Sequence, residues 1–190
     1  MRTRVVKEER AYGKRHGLLA RWFPTPRLLS RVGAGVDISD SSIKWVELRG
    51  AESGWEVGAY GSTPLAPGVV VEGVVRDTAQ LAAALSSLRT SIGGVKSVHA
   101  SLPEEAGYVF SMTVPDEKER EQALHMIEFE LEGRVPLKVD QAVYDYDMVG
   151  PTERGVEIGV TVFPRTLITG YEEAFAEAGI ELRSLEVEAR

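Results

Sequence analysis

Val32-Gly33-Ala34-Gly35-Val36-Asp37-Ile38-Ser39-Asp40-Ser41-Ser42-Ile43-Lys44-Trp45-Val46-Glu47-Leu48 reads as two apolar runs around a short polar turn. The pattern predicts strands over Val32–Ile38 and Ile43–Leu48, joined at Ser39–Ser42. The first run ends on an aspartate and the turn carries hydroxyls. Such a hairpin offers backbone N–H and Ser O–H groups to a phosphate, with Asp37 beside the phosphate's metal. Each residue also has a plainer reading. Asp37 can close the hairpin as an Asx-turn acceptor. Ser41 and Ser42 favour turns in their own right. Lys44 can be an exposed charge on a half-buried strand.

Outward from this hairpin, the Gly50–Gly54 turn and a third strand, Trp55–Thr63, complete a meander. Asp77 caps a helix, with Gln80 as its capping partner. Leu81, Ala84, Leu85 and Leu88 form the apolar stripe, and Gly93-Gly94 stops the helix. Lys96–Leu102 is a fourth strand. The rhythm then changes. Gly107–Val114 reads as a strand, and Pro115 and Asp116 open a helix with Glu119 at the capping-box position. Leu124, Ile127 and Leu131 line one face of that helix, and Gly133 is expected to end it. Ala142–Val149 and Val156–Phe163 are strands joined by a turn over residues 150–155. Pro164 opens a further helix, with Leu167, Tyr171, Phe175 and Ala178 inward and Gly179 closing it. Ile180–Val187 is the last strand.

Three parts follow. Residues 1–31 form a basic leader, expected to be flexible. Residues 32–102 plus 164–190 form an α/β core. Residues 103–163 form an inserted α+β unit with the order strand, helix, strand, strand. Without the insertion, the core runs three strands, helix, strand, helix, strand, which is the ribonuclease-H-like plan.

The hairpin resembles the first phosphate-binding hairpin of actin-like ATPases. More narrowly, it is similar to that of the type IV pilus assembly protein PilM family, whose pattern is D-I-G-x-x-S-x-K followed by a V-E-L-like strand. Here the matching residues are Asp37-Ile38, Ser42 and Lys44, then Val46-Glu47-Leu48. The FtsA and PilM branch of the actin-like superfamily carries its strand–helix–strand–strand insertion between the fourth strand and the next helix, as here. The resemblance covers about residues 30–190 and implies the N-terminal half of such a protein. It implies ATP at Asp37, Ser39, Ser41, Ser42 and Lys44, with Asp37 holding Mg2+ through water.

One residue departs from the pattern. Ser39 stands where the family has glycine, which permits positive φ and close phosphate approach. Asp40 beside it adds negative charge. The second phosphate loop and the adenosine segment of the family lie in a second half, beyond a link that Ser184–Ala189 resembles. ATP binding is therefore expected to be weak. Hydrolysis by this chain alone is not expected, because half a cleft supplies little positioning or electrostatic closure.

The implied function is a cytoplasmic adaptor, peripheral at the inner membrane, in the type IV pilus assembly platform. Its implied partner is a peptide of a PilN-like inner-membrane protein, docked near the junction of core and insertion. An FtsA-like cell-division adaptor is the alternative; the V-E-L-like strand and Val135-Pro136-Leu137 favour PilM. A ribonuclease-H-like nuclease needs metal-binding carboxylates on the first strand, first helix and fourth strand. Lys96–Leu102 has none, and Glu104 and Glu105 fall just beyond it.

Composition narrows the classes further. The chain has 190 residues and no cysteine, which excludes disulfides and thiolate zinc sites. No run approaches the roughly 18 apolar residues of a membrane span. Residues 1–31 hold nine Lys/Arg and two Glu, a balance of +7, whereas the remainder carries −14. An acidic body argues against a nucleic-acid partner. In the leader, Leu18, Leu19, Trp22, Phe23, Leu28 and Leu29 lie among cations, and Pro24 and Pro26 prevent one continuous helix. That segment is either a solubilising tail or a tether to an anionic membrane surface. His16, His99 and His125 are scattered and offer no metal site. The glutamates at 117, 119, 121, 128, 130 and 132 read as a solvated face.

Overall fold

The computed structural model describes residues 32–51, 54–92, 96–115 and 120–187. The basic leader, the Gly93-Gly94 stop and the segment Asp116–Glu119 lie outside the described residues.

Strands β1 (Val32–Ile38), β2 (Ser42–Ala51) and β3 (Gly54–Pro64) form the expected meander. A two-residue-strand hairpin follows, β4 (Val70–Val71) and β5 (Val74–Val75). Helix α1 (Thr78–Ser91) then leads to β6 (Ser97–Leu102). After the insertion come α3 (Arg165–Glu177) and β10 (Glu181–Val187). The five long strands form one sheet in the order β10-β6-β1-β2-β3. β10 and β1 both run parallel to β6, while β2 is antiparallel to β1 and to β3. This strand order is the expected ribonuclease-H-like plan. Both crossovers into parallel strands place their helices on one face, where Leu81, Leu85, Tyr171 and Phe175 are fully buried against Val36, Ile38 and Ala100.

The helix ends follow local chemistry. Asp77 caps α1: its carboxylate accepts from the Gln80 N–H at 2.9 Å and from the Gln80 side-chain amide at 2.7 Å. Those two bonds hold the Asp77 carboxyl below its ordinary range. Gly179 closes α3 with φ +68. Its N–H reaches the Ala176 carbonyl at 3.0 Å and the Ile180 N–H reaches the Phe175 carbonyl at 3.0 Å, the paired bonds of a Schellman motif.

The insertion contains β7 (Tyr108–Val114), α2 (Arg120–Arg134), β8 (Ala142–Thr152) and β9 (Gly155–Pro164). Its antiparallel sheet has the order β7-β9-β8. One face packs on α2 through Ile127, Leu131, Ile158, Val160 and Val162. Among the described residues, the opposite face carries no helix of the insertion.

Three local expectations change. Gly133 does not end α2: the Val135 N–H still bonds the Leu131 carbonyl at 3.0 Å. Pro136, which has no N–H to continue the ladder, supplies the stop. The turn expected over residues 150–155 shortens to two residues, because β8 runs on to Thr152. Pro151 is tolerated there because β8 is an edge strand and that position needs no ladder donor. The β4–β5 hairpin is additional to the expected elements. Glu72 (φ 51) and Gly73 (φ 71) form its left-handed turn.

Candidate functional site

The β1–β2 hairpin gathers the residues expected to face a phosphate. Asp37 lies opposite Lys44 in the antiparallel register and beside Ser101 of β6 in the parallel one. Its carboxylate accepts from the Ser101 hydroxyl at 2.8 Å, with the Lys44 ammonium at 3.7 Å. Lys44 itself is exposed. Ser39 and Ser42 close the turn on each other. The Ser39 N–H and hydroxyl donate to the Ser42 carbonyl at 2.9 and 3.1 Å, and the two hydroxyls lie 3.2 Å apart. Ser41 is exposed, and its carbonyl accepts from the Leu65 N–H at 2.8 Å.

Ser39 does not need the freedom of glycine here. Among the described residues, Glu72 is the one non-glycine with positive φ. Asp40 also behaves differently from its sequence expectation. Its carboxylate turns onto the β4–β5 turn, accepting from the N–H groups of Glu72 at 2.9 Å and Gly73 at 3.2 Å. Successive left-handed residues point their N–H groups into one concavity, an anion nest, and Asp40 fills it. The Gly73 carbonyl accepts from the buried Tyr171 hydroxyl at 2.9 Å. Burial, with Asp40 and Asp37 nearby, pushes that phenol above its usual range.

These residues can hold part of a metal–phosphate group. Asp37 offers one carboxylate, Lys44 one cation and Ser41 one exposed hydroxyl. No group of three or more metal-ligating side chains occurs among the described residues. Ser101 occupies the fourth-strand place beside Asp37 where a two-metal nuclease needs a carboxylate. Sequence reasoning missed Ser101, since only the β1–β6 register brings it to Asp37.

A second site is larger. A groove of about 990 Å³ separates the open face of the inserted sheet from β10 and the end of α3. Val143, Phe163, Leu182, Leu185 and Val187 supply its apolar floor. β8 and β10, which flank it, are both edge strands of their sheets. Five carboxylates, Asp145, Asp147, Glu172, Glu181 and Glu186, line it against two guanidiniums, Arg120 and Arg183. Arg120 pairs with Asp145 at 2.7 Å and Arg183 with Glu181 at 3.2 Å. Beside the groove, His99 meets the buried Ser184 hydroxyl at 2.7 Å, and Ser184 donates to Glu186 at 3.2 Å.

The profile of the type IV pilus assembly protein PilM family matches residues 35–188. Among solved structures, the chain is similar to one described as a PilM–PilN type IV pilus biogenesis complex. That match has a TM-score of 0.75 and 25% identity, and covers 86% of this chain and 48% of the other. The cytoplasmic domain of EpsL, an inner membrane component of the type II secretion system of Vibrio cholerae, shares the fold. There the TM-score is 0.57 with 17% identity, and the match covers 82% of this chain and 57% of the other. The chain thus spans about half the length of the structures it matches. Among its described residues, no helix is long and apolar enough to cross a membrane.

Proposed function

From the premise that this chain belongs to the type IV pilus assembly protein PilM family, we propose that it is a docking adaptor of the pilus inner-membrane platform. Its groove receives an extended, largely apolar peptide from a PilN-like inner-membrane protein. The observation that carries this reading is the apolar floor lying between two open strand edges. An edge supplies main-chain hydrogen bonds to an added strand, and a neighbouring apolar floor selects its alternate side chains. The similarity to a complex containing PilN supports the choice of partner. Docking places the chain on the cytoplasmic side, peripheral at the inner membrane.

Nucleotide has a secondary place. Asp37 would hold water on Mg2+, and Lys44 and Ser41 would meet phosphate oxygens. Ser39 and Ser42 already bond each other and serve mainly to shape the turn. With one carboxylate and one cation assembled, the hairpin binds Mg-ATP weakly and does not hydrolyse it unaided.

The test is calorimetry of the full chain with the N-terminal cytoplasmic peptide of the PilN-like protein. Micromolar binding is expected. Thr161→Arg, which fills the groove from the open sheet face, should weaken it about 100-fold with the thermal melt unchanged. Equal binding by both chains would remove the groove assignment. Capture of the tail of a tubulin-like division protein instead would transfer the chain to the FtsA-like role.

A further inference from the structure

We infer that β7, the outer edge of the inserted sheet, pairs antiparallel with β7 of a second copy of this chain. The inference does not use the docking groove and stands apart from the docking reading. A difference among the four edge strands of the two larger sheets carries it. β3 holds Glu56, β8 holds Asp145, Asp147 and Pro151, and β10 holds Glu181, Arg183 and Glu186. Each of those three also meets its neighbour with a register shift. Charges, proline and bulges make an edge selective about what it pairs with. β7, with the sequence Tyr-Val-Phe-Ser-Met-Thr-Val over Tyr108–Val114, has none of them. Its register with β9 is unbroken from end to end.

Self-complementarity names the occupant. A two-fold axis at Ser111 sets Ser111 against its own copy, Phe110 against Met112 and Val109 against Thr113, so no charge meets a like charge. Phe110 and Met112 pack on the α2 side of the sheet. There a second groove, of about 420 Å³, lies between β7 and α2, lined in part by Met112, Met126 and Phe129. Phe129 is 86% exposed. A knob beside a hole on one surface suits exchange about a two-fold, each copy's Phe129 covering the other's Phe110 and Met112. Methionine linings adapt to what enters them. Glu130 and Arg134, which also line this groove, pair with each other at 3.0 Å and leave no net charge between them. That neutrality matters in a chain whose residues beyond the leader carry −14, because acidic surfaces repel their own copies. A single strand ladder with one aromatic knob per copy is a small interface, below about 1,200 Å² in total, so a weak dimer with a Kd on the order of tens of micromolar is expected.

The experiment keeps the full chain. It has no cysteine, so one introduced thiol reports the pairing. Directly opposed residues of an antiparallel pair lie about 4.5–5.5 Å apart at Cα, within disulfide reach, whereas Thr113 and its own copy would lie more than about 10 Å apart. Under a mild oxidant, Ser111→Cys should therefore cross-link to a dimer at least about tenfold faster than Thr113→Cys, or than Tyr60→Cys on the β3 edge. Sedimentation velocity gives a second reading. Ser111 is exposed, so Ser111→Lys and Ser111→Glu leave the monomer folded. Each should weaken self-association about tenfold, and their equimolar mixture should restore it. Phe129→Ser should also weaken it about tenfold, while Tyr60→Ser, 75% exposed on β3, should leave it within twofold. Equal cross-linking by the three thiols, or equal loss with Phe129→Ser and Tyr60→Ser, would reduce the contact to general apolar association and overturn the inference. So would a parent chain that stays monomeric at ten times the expected Kd. Association that weakens with salt and ignores the Ser111 changes would overturn it too, in favour of attraction between basic leader and acidic body. None of these measurements contains the PilN-like peptide, so failure of the docking reading leaves them unchanged.

Discussion

The β1–β2 hairpin and the groove differ in what their polar groups already do. In the hairpin, Ser39 bonds Ser42, Ser101 bonds Asp37, and Asp40 caps the Glu72–Gly73 nest. The Ser39, Ser101 and Asp40 side chains there serve the fold. In the groove, the apolar floor and the two strand edges are arranged about a space. Changes in the hairpin should therefore cost stability, whereas changes in the groove should cost binding. The contrast assigns the hairpin's polar residues to holding core strands together.

Phe163 tests the contrast most severely, because it belongs to both regions. It is 7% exposed, lies at the end of β9 and lines the groove. A Cβ on Gly107 would come within 2.6 Å of its ring, so ring and backbone are in close contact at the root of the insertion. Phe163→Ala should cost about 3–5 kcal/mol in urea unfolding and abolish peptide binding together. A loss below about 1 kcal/mol would mean that the insertion is loosely seated and the groove has no fixed width.

Tyr171→Phe sharpens the hairpin side. Removing the hydroxyl leaves the buried Gly73 carbonyl without that donor, at about 1–3 kcal/mol. Peptide affinity should stay within twofold. If affinity falls as much as stability, the hairpin and groove are mechanically coupled and the contrast fails.

The smallest effect belongs to Ser39→Gly. It removes the hydroxyl that bridges the turn and adds backbone freedom, and should lower stability by about 1 kcal/mol. Unchanged stability with tighter Mg-ATP binding would show that the family's glycine serves nucleotide and that Ser39 obstructs it.

Local pattern and local chemistry carried most of the fold. The alternation in Val32–Leu48, the cap at Asp77 and the glycine at 179 each specify structure from neighbours in the chain, and each forms as read. The Glu72-Gly73 turn carried half of a hairpin signal: two Val pairs flank it and Gly73 suits positive φ, but Glu72 does not. The candidate sites were less legible, for a physical reason. Ser101 reaches Asp37 only through a parallel pairing of residues 64 apart. The groove arises from the spacing of two sheets and has no motif. Asp40 misled because side-chain direction at a turn is set by distant donors, here the N–H groups of Glu72 and Gly73.

The insertion also enters and leaves the core at one point. Tyr108 and Val162 are direct partners across β7 and β9, so the two ends of the unit are held side by side. An unstructured loop of about 60 residues between β6 and α3 would cost about 3–4 kcal/mol of closure entropy before α3 and β10 could dock. A folded insertion removes most of that cost by acting as a clasp across its own ends. The core can then close as though β6 and α3 were joined by a short turn. The antiparallel sheet that forms one wall of the groove is thereby also a folding device, and that wall should form before the parallel β6–β10 pairing sets the other wall in place.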